Sequence, residues 1–309
     1  MLNIIRAGLQ TTVQDQGRNG LRGQGVSLGG ALDAPALYAA NLLVGNRGTD
    51  AGLEVTLGEC TVEFTRDGWM ALTGAGCDAY LDKQRIWTGW NYPVCAGQRL
   101  VLHRPKRGMR SYLAVSGGID VPKVLGSRST DLTGGFGGLD GRRLKDGDVL
   151  PLGEVRRVPQ KSQGIKQLLF NNYIRVLPGP EYQEFSPEEQ AFFWRTPWHL
   201  SPQSNRMGYR LNGHVLRRSS SREMFAHGLL PGVIQVPHGG QPIVLMADAQ
   251  TTGGYPRIAC VIEADLYHLA QIRLGEPIHF IRCTLAEAQQ AYKEQKIYLR
   301  QLERGLQGD

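Results

Sequence analysis

The 309-residue chain contains no run of eighteen apolar residues, so it holds no expected helical membrane span. Its start, Met1-Leu2-Asn3-Ile4-Ile5-Arg6, lacks the basic stretch and apolar core of a secretory signal, and a soluble cytoplasmic protein is expected. The five cysteines, Cys60, Cys77, Cys95, Cys260 and Cys283, are odd in number, widely spaced and free of any C-x-x-C pair. That pattern supports neither a zinc site nor a disulfide framework and reads as buried thiols in a reducing compartment; no metal is expected. Charged residues make up 20% of the chain, with 35 Lys and Arg against 28 Asp and Glu. The net charge of +7 is dispersed, with short clusters such as His103-Arg104-Pro105-Lys106-Arg107 and Arg217-Arg218. No aromatic stripe interleaves them, so nucleic acid is not an expected partner; a protein or a small anion accounts for the charge equally well.

Glycine, in contrast, is abundant: 40 residues, nearly twice the usual share of roughly 7%. With no collagen-like period and no tandem repeat, this reads as many turns joining short strands. Alternation marks strands at Leu53, Val55 and Leu57 and again at Val62 and Phe64. Further strands are expected at 69–73, 100–103, 112–115, 174–177, 233–236, 243–246 and 278–282. Turn residues separate them at the roughly 8- to 12-residue spacing of barrels and sandwiches.

Helices are few and well marked. Asp33 caps one with Pro35 in its first turn and Gly45 past its end. Ser186 and Glu189 form a capping box with Pro187 at the first helical position, and Thr284 with Glu287 forms another. The latter opens a C-terminal helix to about Gly305, with Leu285, Ala288, Tyr292, Leu299 and Leu302 as its expected apolar face. The fold class is therefore mainly β with a few helices. The polar stretch Glu154–Gly164 suggests a boundary, giving an N-terminal β domain (1–160), a C-terminal β domain (161–284) and a terminal helix (285–309).

Several familiar motifs fail on context. Gly74-Ala75-Gly76-Cys77-Asp78-Ala79 fits G-x-G-x-x-A, but the helix that a dinucleotide site needs is broken by Thr88–Pro93. Gly25-Val26-Ser27-Leu28-Gly29 fits the nucleophile elbow, yet a glycine- and arginine-rich stretch precedes it instead of a strand. No Gly-Lys dipeptide occurs, which excludes a P-loop, and the biotin-attachment sequence Met-Lys-Met is absent, so this chain carries no covalent biotin in the usual way.

Three segments are richer in chemistry. Thr11–Arg18, containing Gln14 and Asp15, runs toward Gly29-Gly30. It reads either as a loop whose amides face a ligand or as a turn in which Gln14 and Asp15 satisfy local amides. Asp248-Ala249-Gln250-Thr251-Thr252-Gly253-Gly254-Tyr255-Pro256-Arg257 follows an apolar strand. Its hydroxyls, the Gln250 amide and the exposed amides of Gly253 and Gly254 can surround an amide or a carboxylate. Asp248 is a candidate base and Tyr255 a donor or stacking face. Finally Arg206 and Arg210, four apart around Gly208, can clamp an anion or serve structural ion pairs.

Together these segments resemble the KipA-like family, also described as biotin-dependent carboxyltransferase or allophanate hydrolase subunit 2. The resemblance is carried by Thr12–Arg18, Ala40–Asn46, Gly232-Val233-Ile234-Gln235-Val236-Pro237 and Asp248–Pro256, and runs to about residue 283. It implies two cyclophilin-like β-barrel domains. It also implies a place in a heteromeric, ATP-dependent 5-oxoprolinase that opens 5-oxoproline to L-glutamate, with ATP as co-substrate of the complex. The implied partners are a KipI-like B component in direct contact and a LamB/YcsF-like A component. Alternatives within the resemblance are a regulatory binding protein paired with a KipI-like antikinase, and a urea or allophanate carboxyltransferase component. Under this reading Asp248 and Tyr255 are catalytic. The substrate-binding set is Arg206, Arg210, Gln235, Gln250, Thr251, Thr252, Gly253, Gly254, Gln14 and Asp15. Where the family often carries Ser-Asp-Arg-Met-Gly, this chain has Ser204-Asn205-Arg206-Met207-Gly208.

Overall fold

The computed structural model describes residues 1–219 and 224–307; the last two residues of the expected terminal helix lie outside them. The chain divides into two compact β-rich units. The first comprises residues 1–18, 29–169 and 297–309, and the second residues 19–28 and 170–296.

In the first unit the strands are β1 (Leu2–Arg6), β2 (Gln10–Gln14), β3 (Gly52–Thr56), β4 (Cys60–Phe64), β5 (Gly68–Gly74) and β6 (Ala79–Leu81). They continue with β7 (Gln84–Ile86), β8 (Trp90–Val94), β9 (Arg99–Leu102), β10 (Arg110–Val115) and β11 (Val149–Leu150). Two sheets result, ordered β11-β1-β4-β9-β6-β7 and β2-β3-β10-β5-β8. One apolar cluster draws on both, with Leu2, Ile4, Val62, Phe64 and Leu100 from the first and Val13, Leu53, Val55, Leu72 and Leu113 from the second. Strands β3 and β10 are buried on both faces, because helix α1 (Ala34–Leu43) covers the other side of the second sheet. Its Ala40 and Leu43 pack with Ala71 and Ala114. Asp33 caps the helix by accepting from the Ala36 amide at 3.0 Å. Asn41 and Asn46, both buried, brace its end. Asn41 donates to Asp50 O at 2.7 Å, and Asn46 donates to Val115 O at 2.9 Å and accepts from the Gly117 amide at 2.8 Å.

The G-x-G-x-x-A segment leads from β5 into β6 with no helix between. The polar stretch 154–164 is tied to this unit by its backbone: the Gln163 amide donates to Asn91 Oδ1 at 2.7 Å and Gly164 bridges Trp90.

In the second unit the strands are β12 (Tyr173–Pro178), β13 (Trp198–Leu200), β14 (Gly208–Asn212), β15 (His227–Gly228) and β16 (Val233–Gln235). The remainder are β17 (Ile243–Leu245), β18 (Thr252–Gly253), β19 (Arg257–Val261) and β20 (Pro277–Arg282), with helices α2 (Pro187–Arg195) and α3 (Leu266–Gln271). Seven strands close a barrel in the order β12-β19-β16-β17-β14-β13-β20, sealed by parallel pairing of β12 with β20. Closure removes the unpaired edges that an open sheet exposes. The barrel interior holds Val176, Trp198, Tyr209, Ile234, Val244, Ile258 and Phe280, all buried. Helix α2 adds Phe193, stacked on Phe280 at 5.2 Å, and its N-terminus is capped by Ser186 as expected.

The last helix, α4 (Leu285–Gln307), opens with the Thr284–Glu287 capping box, in which Glu287 accepts from the Thr284 amide at 2.7 Å. Its buried stripe differs from expectation. Ala288 and Ala291 pack with Ile262, Ala264 and Cys283, whereas Leu285 and Tyr292 are exposed. Lys296 lies 5.1 Å from the Tyr292 ring. Residues 285–296 group with the second unit and 297–307 with the first.

Candidate functional site

Each unit carries a polar loop built from the expected residues. In the first, β2 delivers Gln14 and Asp15 beside the Ser127–Thr130 segment. The Asp15 carboxylate is saturated: Oδ1 accepts from the Gly17 amide (2.8 Å) and from the Ser127 and Ser129 hydroxyls (2.6 Å each). Its Oδ2 accepts from the Arg128 amide at 2.6 Å. Beside it, the buried Arg18 guanidinium donates to Ser129 O and lies 4.6 Å over the Phe136 ring. Gly30 has φ +84°, and a Cβ there would come within 2.9 Å of the Gly17 nitrogen, so the loop closes only around glycine. Gln14 donates to Thr12 Oγ1 and Thr130 O, and its buried Oε1 has no hydrogen-bond partner. The loop thus matches the turn-building alternative for Asp15 and leaves one open acceptor on Gln14.

Next to it lies a network that sequence pattern does not reveal. Glu54 on β3 accepts from the Tyr112 hydroxyl (2.7 Å) and the Leu32 amide (2.8 Å), with Arg110 Nε at 3.6 Å. Tyr112 Oη in turn accepts from the Asp33 amide at 2.8 Å, which fixes the entry to α1. Burial first, and then the charge of Glu54, hold the Tyr112 phenol well above its ordinary pKa.

In the second unit, β14 and β17 pair and carry the turns on which Arg206 and Asp248 sit. The side chains of these two residues meet: Arg206 Nε to Asp248 Oδ2 at 2.8 Å and Nη2 to Oδ1 at 2.9 Å, both almost wholly buried. Their backbones meet too, with the Asp248 amide donating to Arg206 O at 2.9 Å. The guanidinium expected to hold a substrate and the carboxylate expected to move a proton therefore form one bidentate ion pair. Arg210, by contrast, is exposed on β14. Asn205 accepts from the Met207 and Gly208 amides at 2.9 and 3.3 Å, a turn role that either Asn or Asp fills.

Beyond Asp248 the chain emerges. Gln250, Thr252, Gly254 and Tyr255 are exposed, and Thr251 and Gly253 half-buried. Thr252-Gly253 pairs with His227-Gly228 as a two-stranded ribbon, extended where the Leu229 amide donates to Thr251 O at 2.8 Å. A Cβ on Gly253 would lie 2.8 Å from a Leu229 methyl and 3.3 Å from Gln235 Nε2, so a side chain here would require Leu229 to shift. The buried Gln235 donates to Tyr255 O at 3.2 Å, and the Tyr255 ring meets His238 edge-on. The polar groups of residues 250–255 are thus displayed from a ribbon whose backbone is fixed.

Two residues at this ribbon were not anticipated. Arg22, in the 19–28 excursion, donates through Nη2 to Leu229 O at 2.5 Å and Gln250 O at 3.4 Å. Its Nε and Nη1 are buried without a hydrogen-bond partner, and burial pushes the guanidinium below its ordinary pKa. His227 holds Phe225 O at 3.2 Å through Nδ1, while its buried Nε2 has no partner. The nearby Glu181 is committed to Arg257 at 2.6 and 2.8 Å. Burial works to raise the Glu181 carboxyl, but hydrogen bonds from Arg257 and the charges of Arg257 and His227 hold it below its usual range.

Of the thiols, expected to be buried, Cys60 and Cys283 are buried, Cys77 and Cys260 half-buried, and Cys95 is exposed. Burial pushes Cys60 up to about 12 and Cys77 to about 11, so neither is a thiolate at neutral pH. Among the described residues no helix is long and apolar enough to cross a membrane.

Residues 24–282 match the family model described as carboxyltransferase domain, subdomain A and B. The chain is 66% identical to the C subunit of 5-oxoprolinase from Escherichia coli over 98% of its own length and 97% of that protein. It is 44% identical to the protein of the same name from Haemophilus influenzae, over 98% of both chains. Among solved structures it resembles the K. lactis urea amidolyase with a TM-score of 0.91 at 29% identity, covering 98% of this chain and 20% of that one. The chain thus spans about a fifth of that larger enzyme. With its two β-rich units and closed barrel, the chain belongs to the carboxyltransferase domain family, subdomains A and B.

Proposed function

We propose that this chain is the C component of a heteromeric 5-oxoprolinase, a hydrolase that opens 5-oxoproline to L-glutamate while ATP is hydrolysed to ADP and phosphate. The observation that carries this reading is the 66% identity, over nearly the whole of both chains, to a protein named as the C subunit of that enzyme. A lettered component supports a complex of several different chains. We assign a KipI-like B component as the direct neighbour, a LamB/YcsF-like A component as the third member, and the cytoplasm as the site of action.

Opening a five-membered lactam requires the loss of amide resonance. Transfer of a phosphoryl group to the lactam oxygen makes the ring carbon electrophilic; water attack and C–N cleavage then release the amine, and phosphate leaves in the final hydrolysis. Among the described residues no group of three His, Cys, Asp or Glu side chains is placed to hold a metal ion, and the chain has no P-loop. We therefore assign the nucleotide to the partner chains and the lactam to this one. Gln250, Thr251 and Thr252 hydrogen-bond the lactam, Gly253 and Gly254 allow its close approach, and Tyr255 supplies a proton donor or stacking face. The Arg206–Asp248 pair holds the root of this loop, and Gln235 its far end. Asp15, saturated by its own loop, serves as scaffold.

The test is glutamate and ADP release from 5-oxoproline and ATP by the reconstituted complex. Replacing Thr251 and Thr252 by Val removes both hydroxyls at constant volume. Turnover should fall ~10- to 1000-fold while folding and partner binding survive. A double variant that binds its partners and turns over at the wild-type rate would remove the loop from the site. The TM-score of 0.91 to urea amidolyase supports a second reading, carboxyl transfer to urea. Carboxylated biotin supplied with urea should give no product if the first reading holds.

A further inference from the structure

Resting on the 5-oxoprolinase reading, we propose that Arg22 and His227 form the recognition site for the carboxylate that distinguishes 5-oxoproline from a plain lactam. Two residues remote in sequence are brought to one ribbon. The guanidinium is fixed by the carbonyls of Leu229 and Gln250, and His227 lies two residues before Leu229 on the strand paired with Thr252-Gly253. The same backbone that displays the Thr251 and Thr252 hydroxyls therefore holds both side chains.

The chemistry of these groups points to a small anion. Among the described residues this guanidinium is satisfied only by two main-chain oxygens, with Nε and Nη1 removed from water and unbonded. Such donors are costly to leave unmade, and a structure retains them where something else completes them. No acidic side chain among the described residues pairs with Arg22, and the nearby Glu181 is held by Arg257 in two hydrogen bonds. The His227 Nδ1 faces a carbonyl oxygen and so carries a proton, which leaves Nε2 as the group available to a ligand, a donor when the ring is charged. A carboxylate held by Arg22 and His227 would leave the lactam ring toward Thr251–Gly254, where Gly253 puts no side chain in the way.

The experiment compares two substrates in the assembled complex: 5-oxoproline and 2-pyrrolidinone, the same ring without the carboxylate. Arg22→Met and His227→Gln should each lower the ratio of kcat/KM for 5-oxoproline over 2-pyrrolidinone by about 10- to 100-fold, the loss of a charge-assisted contact. Most of the change should lie in KM for 5-oxoproline, and Arg22→Lys should recover part of it. Thermal melting of each variant checks folding; should Arg22→Met fail to fold, His227→Gln and Arg22→Lys carry the comparison. An unchanged ratio in well-folded variants overturns the proposal. So does a rise confined to the KM for ATP, which would make the anion a phosphate. A wild-type complex that does not turn over 5-oxoproline at all is a different failure: it removes the function reading and the carboxylate assignment with it.

Discussion

The Gln14–Arg18 segment of the first unit and the Asp248–Tyr255 segment of the second are both short polar stretches beside glycines, and in sequence they read alike. Their side chains end differently. Asp15 accepts four hydrogen bonds from its own loop, and Arg18 lies buried under Phe136. In the second segment Asp248 is closed off by Arg206 and Ala249 is buried, but Gln250, Thr252, Gly254 and Tyr255 are exposed, with Arg22 and His227 on the same ribbon. A polar loop that completes its own hydrogen bonds is scaffold. One that leaves donors open on a fixed backbone is suited to a ligand.

Substitutions can break or sharpen this contrast. The largest effect is expected at the closed root of the second loop. Asp248→Ala strands a buried guanidinium and should cost about 3–5 kcal/mol, read from urea unfolding. Asp15→Ala should follow at about 3 kcal/mol, since two amides and two hydroxyls lose a charged acceptor. If Asp15→Ala instead left stability intact and raised KM for 5-oxoproline, the first loop would be the binding one and the contrast would invert.

A third test uses pH at another closed group. Burial, partly opposed by Asp265, lowers His268 from 6.5 to about 4, and its Nδ1 accepts from the Asn171 amide. The unfolded chain takes up a proton near 6.5 that the folded chain refuses until about 4, so stability is full above that range and falls as the pH drops through it. Between pH 7 and 4.5 the loss should be about 2–3 kcal/mol, and His268→Gln should remove that component of the acid limb. The smallest effect is expected at the exposed Tyr292: Tyr292→Asp should stay within about 0.5 kcal/mol, whereas Ala291→Asp, one residue earlier, buries an unpaired charge and should cost several-fold more.

Strands with one buried face were legible, because alternation such as Val62/Phe64 is the imprint of that burial. The capped helix starts at Asp33, Ser186 and Thr284 were legible for a similar reason, since a cap is a local contact. Strands β15 and β18 were not: two residues each, one of them Thr-Gly, they exist only through each other. The α4 stripe was legible at Ala288 but not at Ala291 and Gln295, whose small or polar side chains leave a weak hydrophobic pattern. The exposed loop of the site was found from its polar, glycine-rich composition. The pairing of Arg206 with Asp248, and of Arg22 with a carbonyl 207 residues away, depends on tertiary closure that no window of sequence displays.

The division of the chain also bears on how the protein is made. The first unit is completed by residues 297–309, where Leu306 packs against the Ala40–Val44 cluster, Tyr38 donates to Glu303 at 3.3 Å and Tyr298 donates to Lys166 O. These residues are synthesised after the second unit, so two sheets and α1 must wait, with part of their apolar surface uncovered, until the barrel has been translated. The unit whose chain begins first is therefore the one that finishes second.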